Sequence, residues 1–304
     1  MNRHVDLNDL RVFHVVAQKS SFAAAADFLS VSPAYVSKRI QLLESALDAP
    51  LLFRSTRRVA LTEAGERLYR RAQKLLDDAD QLLDDVSGVK HAPRGMLRIS
   101  SSFGFGRRVV APVLARFIET HPQLNMRLDL FDRIVDVAAE GYDLDIRVGN
   151  DIAPHLIARR LATNHRILCA APEYLRARGT PRSIGELQAH ECLCIKERDH
   201  PFGVWRFVVN GEDMRVRVSG ALASNDGEAA VQWALAGRGV MLRSIWNVRT
   251  YLDDGRLIQI LPEVTQPADV FAVYPSRLAT SARVKACVEF LEGAFGGGGW
   301  SPGG

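Results

Sequence analysis

Ser21-Phe-Ala-Ala-Ala-Ala-Asp-Phe-Leu-Ser-Val-Ser-Pro-Ala-Tyr-Val-Ser-Lys-Arg-Ile-Gln-Leu-Leu-Glu44 decides the fold of the first part of this 304-residue chain. Ser20 or Ser21 is placed to cap a helix, and the Ala23 to Ala26 run inside it lets a neighbouring helix approach closely. Val31 plugs the turn that follows. Ser32 is a good N-cap, and Pro33 suits the first helical position, where the N–H it lacks has no intrahelical partner to lose. Val36, Ile40 and Leu43 then recur three and four apart as one apolar face, leaving Ala34, Tyr35, Ser37, Lys38 and Gln41 outside. Upstream, Leu7, Leu10, Phe13 and Val16 mark an earlier amphipathic helix. Downstream, the basic strip Arg54-Ser-Thr-Arg-Arg58 lies between strand-like segments. Three helices and a basic wing in this order form a winged helix-turn-helix.

Such a module fits the DNA major groove, because a recognition helix presents its N-terminal residues to base edges. Ser32 and Ala34 stand at that end. Ser37 and Lys38 are placed to hydrogen-bond bases, while Tyr35 stacks on a thymine methyl or reaches a phosphate. Arg39 is expected on the phosphate backbone. Arg54, Arg57 and Arg58 are expected to face the adjacent minor groove or backbone.

Ser21-Phe-Ala-Ala-Ala-Ala26, Val36-Ser-Lys-Arg-Ile40, Leu42-Leu-Glu44, Pro50-Leu-Leu-Phe-Arg54 and Leu61-Thr-Glu-Ala-Gly65 resemble the N-terminal signature of LysR-type transcriptional regulators. The resemblance extends over nearly the whole chain. It implies double-stranded DNA and a small-molecule effector as partners and a homodimer or homotetramer; no cofactor is expected. Asp48 stands where the family usually has Gly after the third helix, and Asp tolerates the left-handed cap conformation. Pro33 and Ala34 replace more usual polar residues, a change that bears on which operator is read.

From Glu63 to about Val89 the chain has no Pro. Leu68, Leu75, Leu82 and Val89 recur every seven residues, and Ala72, Ala79 and Val86 follow four after each of the first three. This is a heptad seam for a partner helix; the competing reading is one helix lying on its own domain. Basic residues cluster at its start and acidic ones toward its end, so an antiparallel partner would pair opposite signs.

Past the linker-like His91-Ala-Pro-Arg-Gly95, strands alternate with helices. Met96-Leu-Arg-Ile-Ser100, Asn125 to Phe131 and Leu144-Asp-Ile-Arg-Val148 read as strands. Val109, Val113, Leu114 and Phe117 read as one helix, and Ile134, Val137 and Ala138 as another. The pattern restarts at Arg166-Ile-Leu-Cys-Ala-Ala171. A helix at Asp226 to Ala236, a strand at Gly239-Val-Met-Leu242, a strand at Val270 to Tyr274 and a helix from Ser281 to Phe295 follow. The alternation implies βαβ units and a mostly parallel sheet.

The expected organisation is therefore α/β beyond the winged helix-turn-helix. It assigns 1–62 to DNA binding, 63–91 to a dimerisation helix, 92–296 to effector binding and 297–304 to a disordered tail. Within the effector domain, subdomain I takes about 96–165 and 269–295, and subdomain II about 166–268. The resemblance implies that these two halves form a periplasmic-binding-protein-like domain.

Ligands in such folds bind between the halves, outside the carboxyl ends of strands. That rule selects Ser100, Ser101, Ser102 and Phe103 after the first strand, and Asn225 and Asp226 in the second half. It also selects Phe131, Arg147, Lys196 and Arg243 at strand ends, with Phe202 in a nearby loop. Arg147 and Arg243 would clamp a carboxylate from two sides. The plainer readings are serines that only cap, Asn225 and Asp226 that cap their helix, and arginines paired with a neighbour such as Asp145. Lys196-Glu-Arg-Asp-His-Pro-Phe-Gly-Val-Trp205 and Leu242-Arg-Ser244 resemble a subgroup associated with hydroxy-dicarboxylates such as malate or tartrate.

Composition narrows the function classes. Net charge is only +4, with 47% hydrophobic and 24% charged residues, so a nucleic-acid surface must be local. No 18-residue apolar run and no N-terminal signal core are found, so a cytoplasmic protein is expected. Cys169, Cys192, Cys194 and Cys287 follow no disulfide framework; Cys192, Cys194 and His190 make a metal site conceivable, but buried thiols fit better. There is no Gly-x-Ser-x-Gly elbow, no phosphate-binding glycine loop and no metal-type His–carboxylate spacing, which argues against an enzyme. A ligand-independent architectural DNA-binding protein is the alternative.

Overall fold

The computed structural model describes residues 5–54, 59–87, 93–196, 202–209 and 212–296. The chain divides into two compact units, Met1–His91 and Ala92–Gly304.

In the first unit three helices, α1 (Leu7–Lys19), α2 (Phe22–Leu29) and α3 (Pro33–Leu47), precede an antiparallel pair, β1 (Leu52–Arg54) and β2 (Val59–Leu61), and the long α4 (Glu63–Ser87). Local chemistry sets the helix ends. Asp6, Ser21 and Ser32 accept the amides of Asn8, Ala24 and Tyr35, and Ser20, Ser30 and Asp48 close α1, α2 and α3 with positive φ near 50°. Ser21, not Ser20, is thus the cap of α2. Phe13, Val16, Ala25, Ala26, Val36, Ile40 and Leu43 form the core with Leu51 and Leu52. Leu7, assigned to that apolar face by spacing, is exposed.

The seam expected along α4 divides. Ala72 and Leu76 are buried in this unit's own core, with Leu68 packed against it, so that part serves the competing reading. Leu75 and Leu82 are 50% and 63% exposed among the described residues. Val86 has no described side chain, and Val89, the wing residues Arg57 and Arg58, the Arg54 side chain and the tail from 297 lie outside the described residues.

His14 of α1 stacks on Tyr69 of α4, with ring centroids 4.7 Å apart and planes 4° from parallel. Burial lowers its pKa from the usual 6.5, opposed by a hydrogen bond with Gln73. The folded form therefore binds fewer protons than the unfolded one, and stability falls as pH drops below the unfolded value. Between roughly pH 7.5 and 5.5, above the carboxylate range, denaturant melts of this unit should shift downward, and His14→Phe should flatten the profile.

The second unit has two lobes. The sheet of lobe I runs β4-β3-β5-β14-β6, from β3 (Gly95–Ser101), β4 (Leu124–Leu130), β5 (Leu144–Val148), β6 (Leu156–Ala162) and β14 (Val270–Pro275). β3 pairs in parallel with β4 and β5, while β14 is antiparallel to both its neighbours. A helical run of α5 (Phe103–Phe105), a wide π turn (Gly106–Val110) and α6 (Ala111–Glu119) packs on it with the C-terminal helix Ala282–Gly296.

Lobe II holds a five-stranded sheet of β7 (His165–Ala170), β9 (Val204–Val209), β10 (Glu212–Arg217), β12 (Met241–Ser244) and β13 (Ile258–Pro267). Every pairing in it is antiparallel, which corrects the expectation of a mostly parallel sheet. Among the described residues, parallel pairing in this lobe is confined to the short β8 (Cys194–Ile195) with β11 (Ala223–Ser224) and to a bridge between Cys192 and Val240. Helices α7 (Pro172–Arg178), α8 (Gly227–Leu235) and α9 (Ile245–Asp253) complete it.

The segment with Ile134, Val137 and Ala138 is a chain of turns and not a helix. Asp136 accepts the amides of Ala138 and Ala139, and Glu140 accepts that of Asp136 while pairing with Arg133. Side chains that take backbone amides locally compete with the helical ladder. The chain crosses between lobes at Thr163-Asn164 and at Ala268-Asp269. The crossings are stitched together: Asn164 donates through Nδ2 to Ala268 O at 2.7 Å, and its own carbonyl accepts from Ala268 N.

Candidate functional site

Two regions gather the residues singled out above. On α3, Tyr35 and Lys38 are exposed, Ala34 and Ser32 stand at the exposed N-terminal turn, and Ser37 is half-buried. Tyr35 Oη accepts a hydrogen bond from Asn8 Nδ2 at 2.8 Å. Arg39 departs from expectation. Its guanidinium pairs with Asp6 at 2.9 Å and with the buried Asp9, so it ties α3 to α1 instead of reaching outward. Desolvation raises the Asp9 pKa and the Arg39 charge opposes that rise. Sequence spacing along one helix could not reveal a partner on another.

The second region is the cleft between the lobes of the C-terminal unit. Ser102, Phe103, Phe131, Arg147, Lys196, Asn225, Asp226 and Arg243 all line it, contributed by both lobes. Ser100 and Ser101 do not. They are buried within β3, where Ser100 Oγ donates to Asp145 at 2.8 Å and Ser101 Oγ to Ile146 O at 2.6 Å. Phe202 is also a correction, since it lies in a separate hollow beside Gly203, Arg217 and Ser219. Asp226 caps α8 by accepting the Glu228 amide, and Asn225 donates across the cleft to Asp132.

The two arginines are held differently. Arg147 on β5 is 3% exposed, and its Nε pairs with Asp145, 2% exposed, at 2.7 Å. The anticipated neighbour is thus real. The pair leaves Arg147 Nη2 buried without a hydrogen-bond partner among the described residues. Arg243, at the end of β12, donates from Nε to Asn247 Oδ1 at 2.5 Å, and its guanidinium lies flat against Gly227. A buried guanidinium N–H without an acceptor is costly, and a carboxylate is the acceptor whose geometry suits it.

Arg166, Asp132 and Trp246 also line the cleft and were not anticipated. Arg166 sits at the amino end of β7. Because β7 runs antiparallel to β12, that end lies beside the carboxyl end of β12, with Arg166 opposite Ser244. The rule that ligands meet the carboxyl ends of strands presumes parallel order. Trp246 packs edge-on against Phe105 of the other lobe at 5.1 Å between centroids.

The four cysteines are buried thiols whose pKa values burial raises, for Cys169 and Cys192 to about 12. No group of three His, Cys, Asp or Glu that could hold a metal is present among the described residues, and His190 instead bonds Tyr174 Oη. No described helix is long and apolar enough to cross a membrane.

Comparison with known proteins gives two family matches. Residues 7–66 match the model described as "Bacterial regulatory helix-turn-helix protein, lysR family", and residues 90–296 match "LysR substrate binding domain". The chain is 56% identical to the HTH-type transcriptional regulator DmlR of Escherichia coli K12, covering 97% of this chain and 96% of that protein. It is 47% identical to the HTH-type transcriptional activator TtdR of the same strain, over 93% of this chain and 91% of that one. Among solved structures, the full-length Vibrio cholerae virulence activator AphB superposes with a TM-score of 0.58 at 26% identity, covering 96% of this chain and all of that one. Corynebacterium glutamicum OxyR, at 20% identity and a TM-score of 0.68 over 97% of this chain and 93% of that one, shares the fold.

Proposed function

Because the chain belongs to the LysR family of bacterial transcriptional regulators, whose members bind DNA and small effectors and form oligomers, we propose that its effector is a small carboxylate held between the two lobes. The protein is a ligand-responsive regulator and not an enzyme. The observation that carries the carboxylate reading is the buried Arg147 Nη2 without an acceptor, in a cleft that Arg243 also lines from the other lobe. A hydroxy-dicarboxylate such as malate or tartrate carries two anionic groups for the two arginines that line the cleft, and the resemblance of the segments around Lys196 and Arg243 supports that class. Ser32, Ala34, Tyr35, Ser37 and Lys38 form the reading face in this proposal, with Arg54, Arg57 and Arg58 on the wing. Arg39 supports that face from behind. Leu75 and Leu82 are assigned to a partner helix across a dimer seam, and a cytoplasmic site of action follows from DNA binding.

Effector control needs a ligand that prefers one lobe arrangement. A hundredfold preference supplies about 2.7 kcal/mol of bias. Isothermal calorimetry with malate and tartrate, paired with fluorescence anisotropy on DNA upstream of the gene, tests the reading. Heat with a diacid that also alters operator binding is the expected result. No heat with C4 diacids, but clear binding of a neutral aromatic compound, overturns it.

Gly227 offers an independent check. A Cβ there would lie 2.1 Å from Arg243 Cζ and Nη1, so Gly227→Ala must push the guanidinium out of position. Diacid affinity should fall about tenfold or more, roughly 1.4 kcal/mol, with operator affinity in the absence of ligand unchanged.

A further inference from the structure

Glu228 stands in the first turn of α8, in lobe II, and its carboxylate is shared among three groups. Asn247 Nδ2 donates to Oε1 at 2.7 Å, and Arg243 Nη2 lies 3.9 Å from the same oxygen. Arg108, from the π turn of lobe I, reaches Oε2 at 3.4 Å. Gly104 of lobe I comes so close that a Cβ on it would lie 3.2 Å from Glu228 Oε1 and 3.4 Å from Arg243 Nη2. The Glu228 side chain is 19% exposed, against 38% for Arg108. One carboxylate of the chain itself therefore neutralises a cleft arginine and ties the lobes together.

We propose that Glu228 is a resident competitor for the effector's carboxylate, displaced from Arg243 when an anionic effector enters, and that this displacement releases the Arg108 tie between the lobes. The proposal rests on the carboxylate reading for its ligand, while the tie itself does not. Three features support it. The Arg243–Glu228 approach is too long for a hydrogen bond, so the pair is a charge contact that a closer carboxylate outcompetes. Asn247 accepts from Arg243 Nε through its own Oδ1, so the guanidinium has a fastening besides Glu228 when the carboxylate leaves. Arg108 belongs to a wide π turn, a helical irregularity that recurs at functional sites. Glu228 thereby sets a charge threshold: a neutral ligand cannot replace a carboxylate beside Arg243, and a diacid can.

Glu228→Gln keeps the size and the acceptor for Asn247 but removes the charge. Calorimetry of the full-length chain with malate and tartrate should show tighter binding in E228Q, by about five- to tenfold, because a negative charge close to Arg243 is gone. Weaker binding in E228Q would mean that Glu228 only positions Arg243, and would overturn the competitor role. Hydrogen exchange without ligand tests the tie. Amides at 103–110 and 225–230 should lose protection in both E228Q and Arg108→Met, and no further in the double variant. Unchanged protection in both single variants overturns the tie. If the unsubstituted chain binds neither diacid while exchange responds as expected, the carboxylate reading fails and the lobe tie stands.

Discussion

Gly65→Ala should destabilise the N-terminal unit and abolish operator binding, while Gly293→Ala in the same chain should do neither. An added Cβ at Gly65 would lie 2.1 Å from the backbone oxygen of Leu51. That oxygen has no room to retreat. It accepts the Thr62 amide at 3.0 Å, and the Leu51 and Leu52 amides are both held by Glu44 Oε1. Thr62 adds a second fastening: its Oγ1 donates to Pro50 O at 2.7 Å and accepts the Gly65 amide at 3.0 Å. The Leu61-Thr-Glu-Ala-Gly65 segment is thus a clamp joining the start of α4 to the strand pair. Forcing a methyl group into it costs about 3 kcal/mol or more, at the upper end for overpacking, because backbone must move and not a side chain. Gly293 has open space around its Cβ position in the C-terminal helix, so alanine there gains up to about 1 kcal/mol of helix propensity. Denaturant melts with fluorescence anisotropy on operator DNA compare the two. Retained operator binding by G65A would show that the clamp is not needed for the reading module.

Arg147→Met should lower the stability of the C-terminal unit by about 3–5 kcal/mol and remove diacid binding, because it takes the arginine partner away from the buried Asp145 carboxylate. Asp145 is 2% exposed and is left with the Ser100 hydroxyl among its partners in the cluster with Arg147. Binding loss alone would not separate a missing ligand contact from a damaged lobe. The double variant R147M with Asp145→Leu does so: replacing both members of a buried ion pair with apolar groups is often neutral or stabilising. Melting should therefore recover in the double variant while diacid affinity stays at least about a hundredfold down, near 2.7 kcal/mol. Recovery of both would show that Arg147 holds β5 in place and touches no ligand.

The residues behind these two predictions differ in how far the sequence revealed them. The glycine of the clamp belongs to a motif readable at once, yet its physical reason, the approach of Leu51 O, appears only in three dimensions. Arg147 stands at a strand end, where the sequence alone points toward the cleft, and so do Arg243, Lys196 and Phe131. Arg166 stands at the amino end of its strand and reaches the cleft only because β7 runs against β12. Ser100 and Ser101 adjoin the same junction after β3, but they lie within the sheet and satisfy their hydroxyls on β5. The supposed helix at Ile134 to Ala138 had helical spacing and lost to Asp136 and Glu140, which take the local amides.

Caps, turns and apolar spacing are interactions among residues a few positions apart, so the sequence by itself determined the winged helix-turn-helix, the ends of its helices and the α/β alternation beyond them, while the two-lobed plan came from the family resemblance. Strand direction in lobe II, the pairing of Arg39 with Asp6 and Asp9, and the meeting of Arg108 with Glu228 were decided only by tertiary structure. Arg39 reaches Asp6 across 33 positions of chain and Arg108 reaches Glu228 across 120. Contacts of that span depend on how whole elements pack, and no local pattern of side chains encodes them.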